Sequence, residues 1–502
     1  MFVNTFWSLV PPIVAIGLAL LTKETYSSLF IGIVVGALLA TDFSPIGALD
    51  TIINDGLTAA IADNAGIFLF LVLLGIIVAL VNKAGGSAAF GRWAASHIHS
   101  KAGALLATFA LGVLIFIDDY FNCLTVGSVM TPVTDSQKIS RVKLAYLIDA
   151  TAAPICMIAP ISSWAAAVSG VAAKLDTGVS GIQLFIEAIP YNFYSLLTIV
   201  FVITMVVLGV DYGPMAAAEL KAAQTGDLGA LSEEQEEGSS RANMWDMLIP
   251  IILLIIFCVI GLIYVGGFWD PETNAGDFIA AFGDTDAFVG LPWGALIALV
   301  LSIIYLCARR VITFKGAMGC MTKGFNAMVP AILILTFAVS LKSMTGLLGA
   351  ADYVEGLMKQ ASEGLFMLLP AIIFVVACLL AFATGTSWGT FGILIPIVLP
   401  IFNAAPDLQI MGISACLAGA VCGDHCSPIS DTTIMASAGA NCNHIDHVST
   451  QIPYAVTVAA ICFVNYILAA FIRNVVISLA IGVVMVIGTL LVIRSVQSRK
   501  TA

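Results

Sequence analysis

Charge is scarce in this chain. Only 10% of its 502 residues are Asp, Glu, Lys or Arg, against about 25% in soluble domains. So few charges cannot form the polar shell of a soluble protein this long. Basic residues are scarcer still, with 20 Lys and Arg against 31 Asp and Glu and a net charge of −11. No basic cluster exists, which argues against a nucleic-acid partner. Period-two alternation is also missing from runs such as "IPIILLIIFCVIGLIYVGG" (249–267), which excludes a membrane β-barrel. No basic residue precedes Lys23 and no small-x-small cleavage site follows, so the first apolar run reads as a span, not a signal peptide. The eleven cysteines mostly lie inside apolar runs, as at Cys258, Cys307, Cys378 and Cys462. They read as small buried hydrophobes, with no disulfide framework.

What the chain has is apolar sequence, 60% of all residues. Runs near the length of a membrane span recur throughout, predicting an all-α polytopic membrane protein with about 11–14 membrane segments. Spans are expected at roughly 7–22, 27–41, 66–82, 102–118, 144–158, 193–210, 247–267, 291–308, 326–341, 364–383, 409–422, 452–471 and 474–494. Two shorter apolar pieces, 120–133 and 386–401, open on polar or Gly-rich sequence and read as half-helices or re-entrant hairpins.

Basic residues set the orientation. Lys83, Arg92 and Lys101, then Lys138, Arg141 and Lys143, then Arg309, Arg310, Lys315 and Lys323, and finally Arg494, Arg499 and Lys500 can all be cytoplasmic at once. The loops 42–64 and 268–290 carry only acids and fall outside. The acidic stretch 211–246, with Glu219, Asp227, Glu233, Glu234, Glu236 and Glu237, falls inside and reads as a solvated linker. It separates an N-terminal half, 1–210, from a C-terminal half, 247–502.

The halves share a pattern. "FIDDYFNCLTVGSVMTPV" (116–133) aligns with "TGTSWGTFGILIPIVLPI" (384–401), and "APISSWAAAVSG" (159–170) with "SPISDTTIMASA" (427–438). One offset of 268 residues places Pro132 on Pro400, Pro160 on Pro428 and Ser162 on Ser430 in both comparisons. With the orientation above, the copies run in opposite directions. Two inverted-topology repeats with broken helices are the pattern of secondary transporters, whose free helix ends hold substrate and coupling ion. Pro and Gly break the helices there.

The ionisable residues follow these breaks. A carboxylate near the bilayer centre costs about 2.5–3.5 kcal/mol on insertion scales, yet Asp118, Asp119, Asp149, Asp424 and Asp431 all adjoin apolar runs. Asn122 and Thr125 follow Asp118 at helical spacing. Close carboxylates raise each other's pKa, so such a pair accepts a proton or a cation. Asp118, Asp119 and Asn122 are therefore the expected Na⁺ ligands, and the expectation is that Asp118→Asn or Asp119→Asn abolishes exchange. Plainer roles exist: a helix cap for Asp118–Asp119 or Asp431, a partner for a broken end at Asp149, a solvated loop at Asp424–His425. Cys422 and Cys426 with His425 are too few for a structural zinc site. His444, Asp446 and His447 read as a solvated loop, with pH sensing as the functional alternative. Lys342 ends a span and reads as a snorkelling lysine.

Three stretches, "FIDDYFNCLTVGSVMTPVTDSQKISRVKLAYLIDATAAPICMIAPISSWAA", "GTSWGTFGILIPIVLP" and "GDHCSPISDTTIMASAGANCNHIDHVSTQIPYA", resemble the NhaC-type Na⁺/H⁺ antiporter family, which also holds malate/lactate antiporters. The resemblance implies a multi-pass secondary transporter of the bacterial inner membrane, two inverted repeats, re-entrant hairpins, elevator-like movement and a homodimer. It carries an ion- and proton-binding role to Asp118, Asp119, Asn122, Thr125, Asp149, Asp424 and Asp431. Substrate contacts fall to Ser162, Ser163, Thr384, Thr386, Ser387, His425, Ser427, Ser430 and Thr432.

The function read from the residues is Na⁺/H⁺ antiport by alternating access, without a cofactor, since a hard cation favours carboxylates, hydroxyls and carbonyls. The alternative is transport of an organic acid or amino acid coupled to Na⁺ or H⁺, with a solute carboxylate at the helix N-termini of "APIS" and "SPIS". No arginine lies within these motifs to clamp a dicarboxylate. A hydrolase built on His425 with Ser427 or Ser430 fares worse, because these are neighbours in one strip. A channel has no need of inverted repeats with paired carboxylates.

Overall fold

Long apolar runs and small residues make this chain almost wholly helical, and Pro and Gly decide where each helix stops. The structure is a computed structural model. It describes residues 2–22, 24–98, 100–116, 119–159, 162, 164, 168, 181–231, 241–350, 352–353, 367–402 and 406–501. The helices used below are α1 (Val10–Thr22), α2 (Thr25–Ala40), α3 (Ala65–Ala84), α4 (Lys101–Leu114), α5 (Asp119–Ser136), α6 (Arg141–Thr151), α7 (Phe193–Leu208) and α8 (Gly213–Thr225). They continue as α9 (Trp245–Val265), α10 (Ala287–Ala308), α11 (Phe314–Leu347), α12 (Leu369–Thr384), α13 (Ser387–Ile401), α14 (Pro406–Cys426), α15 (Asp431–Gly439), α16 (His444–Ile472) and α17 (Val475–Thr501).

Among the described residues, five helices are long and apolar enough to cross a membrane. Two bent pairs, 183–191 with 193–208 and 408–426 with 431–439, pass the same test, with bends of 47° and 49°. Four shorter apolar helices join them: Phe6–Ala15, Tyr26–Ala40, Lys101–Leu114 and Leu369–Thr384. Exposed Leu, Ile, Val and Phe along these helices, such as Leu379, Val484 and Val492, form an apolar outer surface suited to lipid.

Two groups of helices pack side by side. One is formed by α1, α2, α3, α9, α10 and α11, and the other by α4–α7 and α12–α17. Within the second group the helix boundaries recur in the two halves of the chain. α4 and α12 begin at Lys101 and Leu369, and α5 and α13 begin at Asp119 and Ser387, each pair 268 residues apart. In each half, the first of these helices, the second and the next long one contact one another.

The ends carrying the basic residues gather together. The Lys101 Nζ donates to Glu219 at 2.7 Å. Lys143 pairs with Asp211, Arg309 holds Asp246 with two bonds of 3.1 and 3.2 Å, and the Gln497 amide donates to the Asp211 carbonyl at 2.6 Å.

Several local expectations change. The piece expected at 120–133 is an 18-residue helix, α5, which carries Pro132 inside it. The span expected at 326–341 is part of the 34-residue α11, which begins at Phe314 and runs to Leu347. The linker is not simply solvated. Met215, Glu219 and Ala222 fall on one face of α8 and are buried, and the Glu219 carboxylate also accepts the Ser140 backbone N–H at 2.8 Å. The acid there caps the start of α6, which composition alone conceals. The stretch 444–447 is not a solvated loop either: it is the first turn of α16, with His444 and His447 buried.

Candidate functional site

Among the contacts between the halves are two crossings of the repeated motifs. At the first, α15 lies against α5. A Cβ on Gly127 would stand 2.3 Å from the Gly439 carbonyl oxygen, and one on Gly439 2.3 Å from the Cys123 oxygen. Only glycine lets the backbones come this close. The crossing carries polar groups. The Tyr120 hydroxyl donates to Asp431 Oδ2 at 2.7 Å, and Asp431 Oδ1 accepts the Thr432 backbone N–H at 2.9 Å. At the second crossing Trp388, on α13, meets Trp164 edge-on with ring centroids 5.9 Å apart, and Phe391 lies 6.2 Å from Trp164. Tyr120 and Trp388 are equivalent positions of the two halves.

The break between α14 and α15 is the opening of the second half's motif. Ser427 donates to the Phe382 carbonyl at 2.7 Å, which ties the break to the end of α12. Ser430 caps α15, accepting the Thr433 N–H at 3.3 Å and pairing with Thr432 Oγ1 at 3.0 Å. Gly385 ends α12 in the left-handed region at φ +63°, and a Cβ there would lie 2.4 Å from the Ile429 oxygen. This glycine is required twice, by its φ and by the approach of the break.

Asp424 is buried one turn before the break. Its Oδ2 accepts the Ser387 hydroxyl at 2.7 Å, and the Ser430 hydroxyl also acts on this carboxyl. Ser387 also approaches the Ala420 carbonyl at 3.2 Å. Asp424 interacts electrostatically with Asp431 and Asp149, and Asp431 with Lys342. Across the crossing, Asn122 Oδ1 and Thr125 Oγ1 are buried and unpartnered among the described residues, as is Thr433 Oγ1.

Asn122 has a second task. Its amide nitrogen approaches the carbonyls of Gly112 at 2.7 Å, Ile115 at 2.9 Å and Thr151 at 3.0 Å. These belong to the ends of α4 and α6, so one side chain satisfies orphan carbonyls of two helices. Three carbonyl partners fix the amide nitrogen on that side. The oxygen is left facing away.

Deeper in the second group, Asp149 Oδ2 receives the Gln451 amide at 2.7 Å and lies 3.3 Å from His447 Nε2. Gln451 also donates to the His425 carbonyl. His425 Nδ1 meets the Tyr194 hydroxyl at 2.8 Å, and the ring stacks on Tyr146 at 6.2 Å. Sequence reasoning named Asp149 but missed Tyr120, Tyr194 and Gln451 and the pairing of Asp149 with His447.

The remaining expected residues divide. Asp119 is buried at the start of α5. Asp118 and Ser163 lie outside the described residues. Ser162 spends its hydroxyl proton on the Cys156 and Ala159 carbonyls, at 2.7 and 3.0 Å. Thr384 donates within its own helix to Leu380 at 2.8 Å, and Thr386 accepts the Gly389 N–H at 3.3 Å. Ser162, Thr384, Thr386 and Ser427 therefore have backbone-tying roles in this conformation. All eleven cysteines are buried or half-buried.

Apolar membrane-length helices, helices broken inside the bundle and buried carboxylates at those breaks define a multi-pass membrane transporter. Residues 155–471 match the model of the Na⁺/H⁺ antiporter family. The chain belongs to that family. It is 37% identical over 486 residues to a protein of Haemophilus influenzae described as uncharacterized, covering 94% of this chain and 92% of that one. It is 26% identical over 239 residues to the arginine/ornithine antiporter ArcD of Halobacterium salinarum, covering 47% of this chain and 44% of the relative. The malate-2H⁺/Na⁺-lactate antiporter of Bacillus subtilis matches at 26% over 198 residues, 39% of this chain and 42% of the relative.

Proposed function

We propose that this protein exchanges Na⁺ for H⁺ across the bacterial inner membrane by alternating access, with the cation held at the polar crossing. Asp424 carries the reading: a buried carboxylate at a helix break, with the hydroxyls of Ser387 and Ser430 acting on it. Asp431, Asn122 and Thr125 would complete an all-oxygen set, with Asp119 opening the same helix; hard cations bind such sets. A carboxylate that can hold either a proton or a cation is sufficient for exchange. In this reading 211–246 joins the halves on the cytoplasmic side.

The second reading is exchange of an organic solute, favoured by the partial likeness to the malate/lactate and arginine/ornithine antiporters. Asp431 at the start of α15 opposes a solute carboxylate at that helix end and favours a cationic group.

The test uses purified protein in proteoliposomes with a pH-sensitive dye under an imposed proton gradient. Dequenching by NaCl or LiCl but not KCl, lost in Asp424→Asn, is the expected result. A response only to malate, lactate or arginine would move the assignment to the second reading.

A further inference from the structure

We propose that Asp149 and His447 form a proton-binding site of their own, separate from the cation site at Asp424 and Asp431. The inference rests on the exchange reading for its purpose, but its proton chemistry stands apart from which solute is carried.

Both side chains are fully buried, on α6 and α16, 298 residues apart in the chain. Asp149 Oδ1, His447 Nδ1 and Gln451 Oε1 all lack partners among the described residues. A purely structural buried pair satisfies its polar atoms; this one leaves an open position on the acid, the base and the bridging amide. The groups acting on it are His425, His444, Tyr146, Cys426 and Asp424. None is a lysine or arginine. Lys143, on the same helix as Asp149, is engaged with Asp211.

The charge count follows. With one proton shared between them, as aspartate with imidazolium or as acid with neutral imidazole, the pair is neutral. Losing that proton leaves one net negative charge in a low-dielectric interior, which is costly unless another charge compensates. Asp149 and Asp424 interact electrostatically, so a cation arriving at Asp424 supplies that compensation. Cation binding at one site thereby favours proton release from the other. Gln451 links them mechanically, since its amide touches both Asp149 and the His425 carbonyl beside Asp424.

Two measurements test this. The first follows the five histidines by ¹⁵N NMR in nanodiscs, with the His447 signal identified by its loss in His447→Gln. It should respond to pH in wild type and bind its proton about tenfold or more weakly in Asp149→Asn, where the carboxylate charge is gone. Should Asp149→Asn fail to fold, Gln451→Met removes a donor from the same carboxylate and should move the titration upward. A His447 that keeps one protonation state throughout, or ignores these changes, overturns the proposal. The second adds NaCl to lightly buffered protein and records proton release with a dye. Wild type and His444→Gln should release protons alike, and His447→Gln about tenfold fewer. Equal release from His447→Gln also overturns it. No release from wild type with NaCl, LiCl, malate, lactate or arginine would instead defeat the exchange reading, leaving the NMR titration to decide the proton site.

Discussion

The two crossings occupy equivalent places in the two halves but have opposite chemistry. Where α5 meets α15, a tyrosine hydroxyl donates to a buried aspartate and glycines bring the backbones together. Where α13 meets Trp164, indole and phenyl rings fill the space. The position of Gly127 is taken by Ile395 in the other half. A repeated frame therefore need not carry a repeated site. Side chains make one crossing polar and the other a packed aromatic contact.

The strongest challenge to this contrast is Asp424→Asn. Charge-assisted bonds are worth about 1.5–3 kcal/mol, so cation-dependent exchange should fall about 10–100-fold while insertion, checked by membrane fractionation, is unchanged. Wild-type exchange in that variant would remove Asp424 from the mechanism. Gly127→Ala comes next. The added Cβ meets the Gly439 carbonyl, and overpacking of this kind costs about 1–3 kcal/mol, read as a lower thermal midpoint in detergent. An unchanged midpoint would mean that the backbones are not held so close. Tyr120→Phe removes one donor from Asp431, worth about 1 kcal/mol, and should alter the half-saturating Na⁺ concentration about fivefold. The smallest effect belongs to the aromatic crossing. Trp388→Phe keeps a ring there and should leave that concentration within about twofold, since an aromatic pair is worth about 0.5–1.5 kcal/mol of packing. A larger change in transport than in stability would show that this crossing also meets the solute.

Much of this organisation was legible in the residue order. The breaks at 385 and at 427–430 follow from Gly385 and Pro428, and the common starts of α5 and α13 from the 268-residue offset. Asp424 and Ser387 were both recognised as site residues, though nothing in the order paired them. The acidic linker misled, because Glu219 is one residue on one face of α8 and composition averages faces together. The "NHIDH" stretch misled in the same way: polar residues ahead of a span look solvated until a partner across the bundle is found.

By itself the sequence determined the membrane class, most of the helices and where they break. Those outcomes depend on local properties: apolar length, missing backbone donors and permitted φ angles. Only the tertiary structure decided which polar atoms meet. Asp149 finds His447 and Gln451, and Tyr120 finds Asp431, across some 300 residues. Such pairings depend on crossing geometry set by the packing of whole helices, which no local pattern encodes.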